Sequence, residues 1–249
     1  MRLQNKVALV TGGSRGIGRA VALAFAREGA DVAITGVSDH VALAQVEREI
    51  AAVGKQVLAL QADVSQKAEV ERMVRAVVDQ WGRIDVLVNN AGVIHPTRLE
   101  EIDEAQWSAT LAVHLTGVFL CTQAVVPVMK AQGGGKIINV AAPSALRGSF
   151  GVADYAAAKG GVIAFTRNAA SELKAHNIQV NCISPVAETR MTEALFAFRR
   201  QHLPEAVATF AQAQRAEPEM VAPAFVFFAC ADADYITGQV LAVDGGLTA

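Results

Sequence analysis

Apolar residues are distributed along this chain in two alternating textures. Dense runs at residues 7–11, 31–35, 56–60, 84–89, 136–140, 178–183 and 239–243 are short, which predicts seven strands. Between them, apolar positions recur every three or four residues, as on one face of a helix. Strands alternating with helices predict a parallel sheet. Because the strand runs lack strict apolar–polar alternation, both sheet faces need cover, and the expected fold class is α/β: a doubly wound parallel sheet with helices on both faces. No Pro/Ser-rich linker, repeat or low-complexity tract divides the 249 residues, so 1–249 reads as one domain. Gly133-Gly134-Gly135 reads as a turn into the fifth strand. The irregular part, about 186–217, carries Phe196, Phe198 and Phe210 on an amphipathic segment. Ligands of such sheets bind beyond the carboxyl ends of the strands, so this segment is placed to act as a substrate lid.

Composition narrows the partners. Twenty-two Lys plus Arg against 24 Asp plus Glu leave a net charge of -2, which gives no pull toward nucleic acid or an anionic membrane. A small neutral or mildly charged ligand fits better. Cys121, Cys182 and Cys230 are odd in number and far apart, so no disulfide framework is expected. The amino end has no export-signal pattern, and the apolar stretch at 224–231 is too short for a bilayer that needs about 20 residues. A cytoplasmic protein is expected. The five His and three Cys lack metal-ligand spacings, so no metal is expected.

The chemistry begins after the first strand, at Thr11-Gly12-Gly13-Ser14-Arg15-Gly16-Ile17-Gly18, where a helix starts. Glycines let backbone N–H groups approach a phosphate, and the helix dipole favours its charge; the alternative is a tight turn without a ligand. Further on stand Asp63-Val64, Asn89-Asn90-Ala91-Gly92, Tyr155-x3-Lys159 and Asp244-Gly245-Gly246. In this order and spacing, over essentially the whole chain, these motifs resemble the short-chain dehydrogenase/reductase family, in particular its 3-oxoacyl-carrier-protein-reductase-like members. The resemblance implies a Rossmann-type sheet of seven strands, a nicotinamide cofactor, hydride transfer at a carbonyl or alcohol, and a homotetramer or dimer. It puts Gly12, Ser14, Arg15, Gly16, Ile17 and Gly18 at the pyrophosphate and adenosine, Asp63 and Val64 at the adenine, and Asn90, Ala91 and Gly92 at the ribose. For Asp63 alone, a loop-capping carboxylate is the plainer reading. Pro185, Glu188 and Thr189 fall near the nicotinamide. NAD sites place a carboxylate at the end of the second strand, where this chain has Gly36-Val37-Ser38. With Val37 and Ser38 there and Arg15 free to face a phosphate, NADP(H) is favoured over NAD(H), although Asp39 nearby argues the other way.

Tyr155 and Lys159 stand one helical turn apart and share a face. The phenol is the acid/base candidate, and the ammonium is expected to lower its pKa and to hold the ribose. At the reacting end, two family positions depart from the pattern. The serine thirteen residues before the tyrosine is Ala142, with Ser144 two positions on as a possible substitute or an ordinary loop serine. The usual Asn of the fourth long helix is His114, which would hold the same water and add a group titrating near neutral pH, or merely fill space. Val186 replaces a glycine, and either narrows the pocket or marks a backbone that needs no positive φ. His95 borders the substrate or faces solvent. Phe150, Phe196, Phe198 and Met191 suggest a partly apolar pocket, and Arg147 and Arg190 are available for an acidic group. Phe225-Val226-Phe227-Phe228 and the last strand suit either subunit contact or the core. The expected function is an NADP(H)-dependent oxidoreductase interconverting a carbonyl and a secondary alcohol with a Tyr/Lys acid–base pair. The alternative, prompted by Ala142 and His114, is a cofactor-binding, catalytically impaired member acting as a partner or regulatory subunit.

Overall fold

The computed structural model describes residues 1–203 and 216–249. Seven strands, β1 (Val7–Val10), β2 (Asp31–Gly36), β3 (Val57–Gln61), β4 (Val86–Asn89), β5 (Gly135–Val140), β6 (Ile178–Pro185) and β7 (Val240–Val243), form one sheet in the order β3-β2-β1-β4-β5-β6-β7. Every pairing is parallel. Strand ends lie within two residues of the predicted ones. The helices are α1 (Gly16–Arg27), α2 (His40–Ala52), α3 (Lys67–Trp81), α4 (Glu104–Leu111), α5 (Gly117–Ala131), α6 (Ser144–Arg147), α7 (Ala153–Leu173), α8 (Arg190–His202) and α9 (Pro218–Ala229).

The pleat distributes each strand between two cores. Ala8, Val10, Val32, Ile34, Val86 and Val88 pack with α1, α2 and α9, while Val7, Leu9, Ala33 and Leu87 pack with α3, α5 and α7. Both faces are therefore buried, and the strands show no polar side. Phe225, Val226 and Phe228 of α9 are buried in the first core, so these three side chains belong to the interior. The order reverses between β1 and β4, which opens a crevice past their carboxyl ends.

The helical run Glu104–Ala131 passes the length and composition test for a membrane span, with mean hydropathy 1.7 and a third of that window buried. Its inner residues Cys121, Val125 and Met129 pack in the second core. Between α4 and α5 lies a π-helical turn, Ala112–Thr116. Such turns widen the helix locally and displace one side chain, here His114, toward the site. Of the segment expected to form the lid, α8 is seen, whereas 204–215, with Phe210, lies outside the described residues.

Candidate active site

The loop from β1 into α1 is shaped by close backbone approach. A Cβ on Gly18 would sit 2.2 Å from the Gly12 carbonyl oxygen, so no larger residue fits. The Asn90 amide donates to the carbonyls of Thr11 (2.9 Å) and Gly12 (3.1 Å), tying the end of β4 to this loop. The first turn of α1 has no side-chain cap and no acidic residue. Its N–H groups and dipole open onto the crevice, an arrangement that suits an anionic pyrophosphate.

That crevice is a cavity of about 940 Å³. Its wall includes the positions expected for cofactor and acid–base chemistry: Gly12, Ser14, Arg15, Gly16, Ile17 and Gly18; Val37 and Ser38; Asp63 and Val64; Asn90, Ala91 and Gly92; Pro185, Glu188 and Thr189; and His114, Ser144, Tyr155 and Lys159. Details differ from expectation. Arg15 does not stand free, because its guanidinium pairs with Asp39. The same Asp39 caps α2 by accepting from Ala42 N–H at 2.9 Å, and that bond, aided by Arg15 and Arg190, holds its carboxyl below the usual range. One oxygen of Asp63 accepts from the Ser65 N–H (2.9 Å) and hydroxyl (2.8 Å), the loop-capping role. Thr189 caps α8 in a reciprocal exchange with Thr192.

At the inner end, Lys159 is 2% exposed and donates from Nζ to the Val140 carbonyl at 2.6 Å, with Nζ 5.7 Å from the centre of the Tyr155 ring. Burial pulls the ammonium down to about 8 and pushes the phenol up. The phenol is thus raised where it was expected to be lowered, and the cause is its burial. His114 is 1% exposed, its ring edge-on to Tyr155 with centroids 4.8 Å apart. Burial, followed by the charge of Lys159, lowers it to about 3 against an opposing bond at Val93. The imidazole is neutral, and the second titrating switch expected from the sequence is absent. Nε2 lies 2.7 Å from the Val93 carbonyl oxygen and 3.1 Å from its N–H, and the shorter contact assigns the proton to Nε2. Nδ1 is buried and has no hydrogen-bond partner among the described residues. A Cβ on Gly92 would come within 2.5 Å of Cε1, so glycine there makes room for the ring.

Ala142 is buried in the cavity wall, and Ser144 opens α6 with its Oγ buried and, among the described residues, unpartnered. Val186 has no positive φ, so the backbone there needs no glycine. Met191, Leu195 and Phe196 supply apolar wall, with Arg147 and Arg190 also lining it. Phe150 and Phe198 instead stack on each other outside it, 5.9 Å apart. His95 is exposed and faces solvent.

Sequence reasoning missed the supports behind Tyr155. Asp154 is buried and accepts from Thr110 Oγ1 (2.9 Å), Gln106 Nε2 (3.0 Å) and the Tyr155 N–H (2.7 Å), fastening α4 to the start of α7. Below the site, Asn89 donates to Asn139 (2.9 Å), and Asn139 donates to Thr166 (2.9 Å), all buried. An acid or amide amid apolar residues was the available signal, but its partners lie 27 to 50 positions away.

Residues 12–248 match the family described as enoyl-(acyl carrier protein) reductase. The chain is 42% identical to a 3-oxoacyl-[acyl-carrier-protein] reductase of Synechocystis, over 98% of each chain. It is 41% identical to the (2S)-[(R)-hydroxy(phenyl)methyl]succinyl-CoA dehydrogenase subunit BbsD of Thauera aromatica, over 99% of this chain and 98% of that one. The crystal structure of levodione reductase superposes with a TM-score of 0.92 at 34% identity, over 99% of both chains. Family match, full-length relatives and superposition agree: the chain belongs to the short-chain dehydrogenase/reductase family, oxidoreductases acting on CH–OH groups.

Proposed function

We propose that this protein is an NADP(H)-dependent oxidoreductase interconverting a carbonyl and a secondary alcohol. The observation that carries the reading is one cavity with an uncapped glycine-rich helix start at one end and the Tyr155/Lys159 pair at the other. The nicotinamide, when bound, supplies or takes the hydride. Tyr155, kept protonated by burial, gives its proton to the carbonyl oxygen during reduction and takes it back during oxidation. Lys159, with a pKa of about 8, is charged at neutral pH and stabilises the phenolate left after transfer. It is held in place by the Val140 carbonyl, and its remaining N–H groups suit a ribose hydroxyl. The unpartnered Ser144 hydroxyl takes the place of the donor lost at Ala142.

No carboxylate stands at Gly36, and Arg15 lies in the cavity wall, which together favour NADP(H). Relatives named for an acyl carrier protein and for a CoA ester support an acyl thioester as substrate class. A homo-oligomer belongs to the same reading. Phe119 of α5 and Trp107 of α4 are 43% and 41% exposed, and Phe119 lies edge-on to Phe165 of α7, giving these helices an apolar outer face for a second copy.

The test is nicotinamide absorbance with NADPH and NADH against a panel of ketones and 3-oxoacyl thioesters. Tyr155→Phe is expected to slow turnover by about 10³ with cofactor affinity unchanged. Ser144→Ala is expected to slow it by about 10². Undiminished turnover in Tyr155→Phe overturns the scheme. Tight cofactor binding by a wild type that turns over nothing favours the partner-subunit reading, which Ala142 also supports.

A further inference from the structure

One corner of the cavity gathers three charged side chains from distant parts of the chain. Arg15 belongs to the glycine loop, Asp39 precedes α2 just beyond β2, and Arg190 is the first residue of α8. Arg15 and Asp39 form an ion pair. Arg190 reaches this corner because the loop and the start of α8 touch: a Cβ on Gly16 would lie 3.2 Å from Thr189 Cγ2. The start of α8 is itself pinned, since the Thr189 N–H donates to the Thr192 hydroxyl at 2.7 Å and the Thr192 N–H to the Thr189 hydroxyl at 3.3 Å. Among the described residues Arg190 makes no ion pair, and its charge acts on Asp39 together with that of Arg15. His40 adds a third basic group beside the same carboxylate.

The charges do not balance. Arg15 pairs with the Asp39 carboxylate, Arg190 lines the same cavity with its charge acting on that carboxylate, and the carboxylate already uses one oxygen to cap α2. The strand end between them, Gly36-Val37-Ser38, brings no acid. A dianionic group entering here meets a cavity wall that carries two permanently charged guanidinium groups, the side chain best suited to a phosphate.

We propose that Arg190 of α8 joins Arg15 of the glycine loop in a two-arginine clamp on the 2′-phosphate of NADP(H), with Asp39 as the counter-ion that phosphate displaces. The inference rests on the NADP(H) reading above and adds a determinant far along the chain from the loop that carries Arg15. Asp39 is the built-in competitor: it organises Arg15 in the free protein and weakens the clamp by the same contact.

The test is fluorescence titration of the full chain with NADPH and NADH, comparing wild type, Arg190→Ala and Asp39→Asn. Arg190→Ala is expected to weaken NADPH about tenfold, the equivalent of about 1.4 kcal/mol, and to leave NADH within about twofold. Asp39→Asn, which can still cap α2, is expected to tighten NADPH and leave NADH alone. The salt dependence of NADPH binding should be shallower in Arg190→Ala than in wild type. Equal weakening of both cofactors would place Arg190 on the shared pyrophosphate and overturn the clamp, as would no change in either. A wild type that binds NADH more tightly brings down the cofactor reading itself. A wild type that prefers NADPH, with the preference intact in Arg190→Ala, brings down only the clamp. Arg190 is exposed at a helix start, so the variant's thermal melt without cofactor is expected to match wild type.

Discussion

At the scale of single residues, burial governs the chemistry more than pairing does. His114, Tyr155 and Lys159 adjoin one another, yet each is displaced toward its neutral form, because the charged form of each would leave water. Neutral His114 serves as a spacer and as a clamp on the Val93 backbone, while Lys159 retains its charge only up to about pH 8. The sign for activity follows. As pH rises through about 8, Lys159 loses its proton, the phenolate loses its stabilising neighbour, and reduction slows. No second inflection arises from His114, whose pKa of about 3 lies well below the working range. The kcat/KM profile for reduction is therefore expected to fall on its alkaline side near pH 8, with His114→Asn keeping the same shape between about pH 5 and 9. An inflection near neutrality that disappears in His114→Asn would contradict the neutral imidazole.

At the scale of elements, the helix that carries Tyr155 and Lys159 is held by polar bolts through an apolar interior. Asn139 of β5 joins Asn89 of β4 to Thr166 of α7, two helical turns beyond Lys159, so one amide sets two strands and a helix relative to each other. Both partners are buried, and truncating the amide leaves them short of hydrogen bonds at about 1–3 kcal/mol for each group left unsatisfied. Asn139→Leu is accordingly expected to lower stability by about 2–4 kcal/mol in urea unfolding with an unchanged m-value. A midpoint equal to wild type would show that the bolts carry no stability. The strands and helices themselves were legible in the sequence because period 2 and period 3.6 are local properties of the chain. The bolts were not, since a buried amide declares itself only through partners tens of residues away. The same holds for Asp154, which reads in sequence as an ordinary acid in the first turn of α7 and in the fold as the joint between α4 and α7.

At the scale of the whole molecule, the crevice at the switch between β1 and β4 is where a ligand of such a sheet belongs, and the proposed contact with another copy falls on the outer face of α4, α5 and α7. Phe119→Glu is expected to convert the native oligomer to a smaller, still helical species in sedimentation, because a buried, unpaired carboxylate at the contact is costly. An unchanged mass would move the interface elsewhere, with exposed Tyr235 and Leu241 at the β7 edge the next place to look. From its order of residues alone, this chain determined seven strands, a doubly wound sheet, the glycine-rich turn into α1 and the Tyr155/Lys159 spacing, since each depends on neighbours within a few turns. Tertiary structure alone decided that Phe225 is core, that Phe150 and Phe198 leave the pocket, that Arg15 meets Asp39, and that His114 is neutral. Burial and charge pairing depend on which distant groups exclude water from a side chain, and that is settled only once the sheet and its two helical layers have closed.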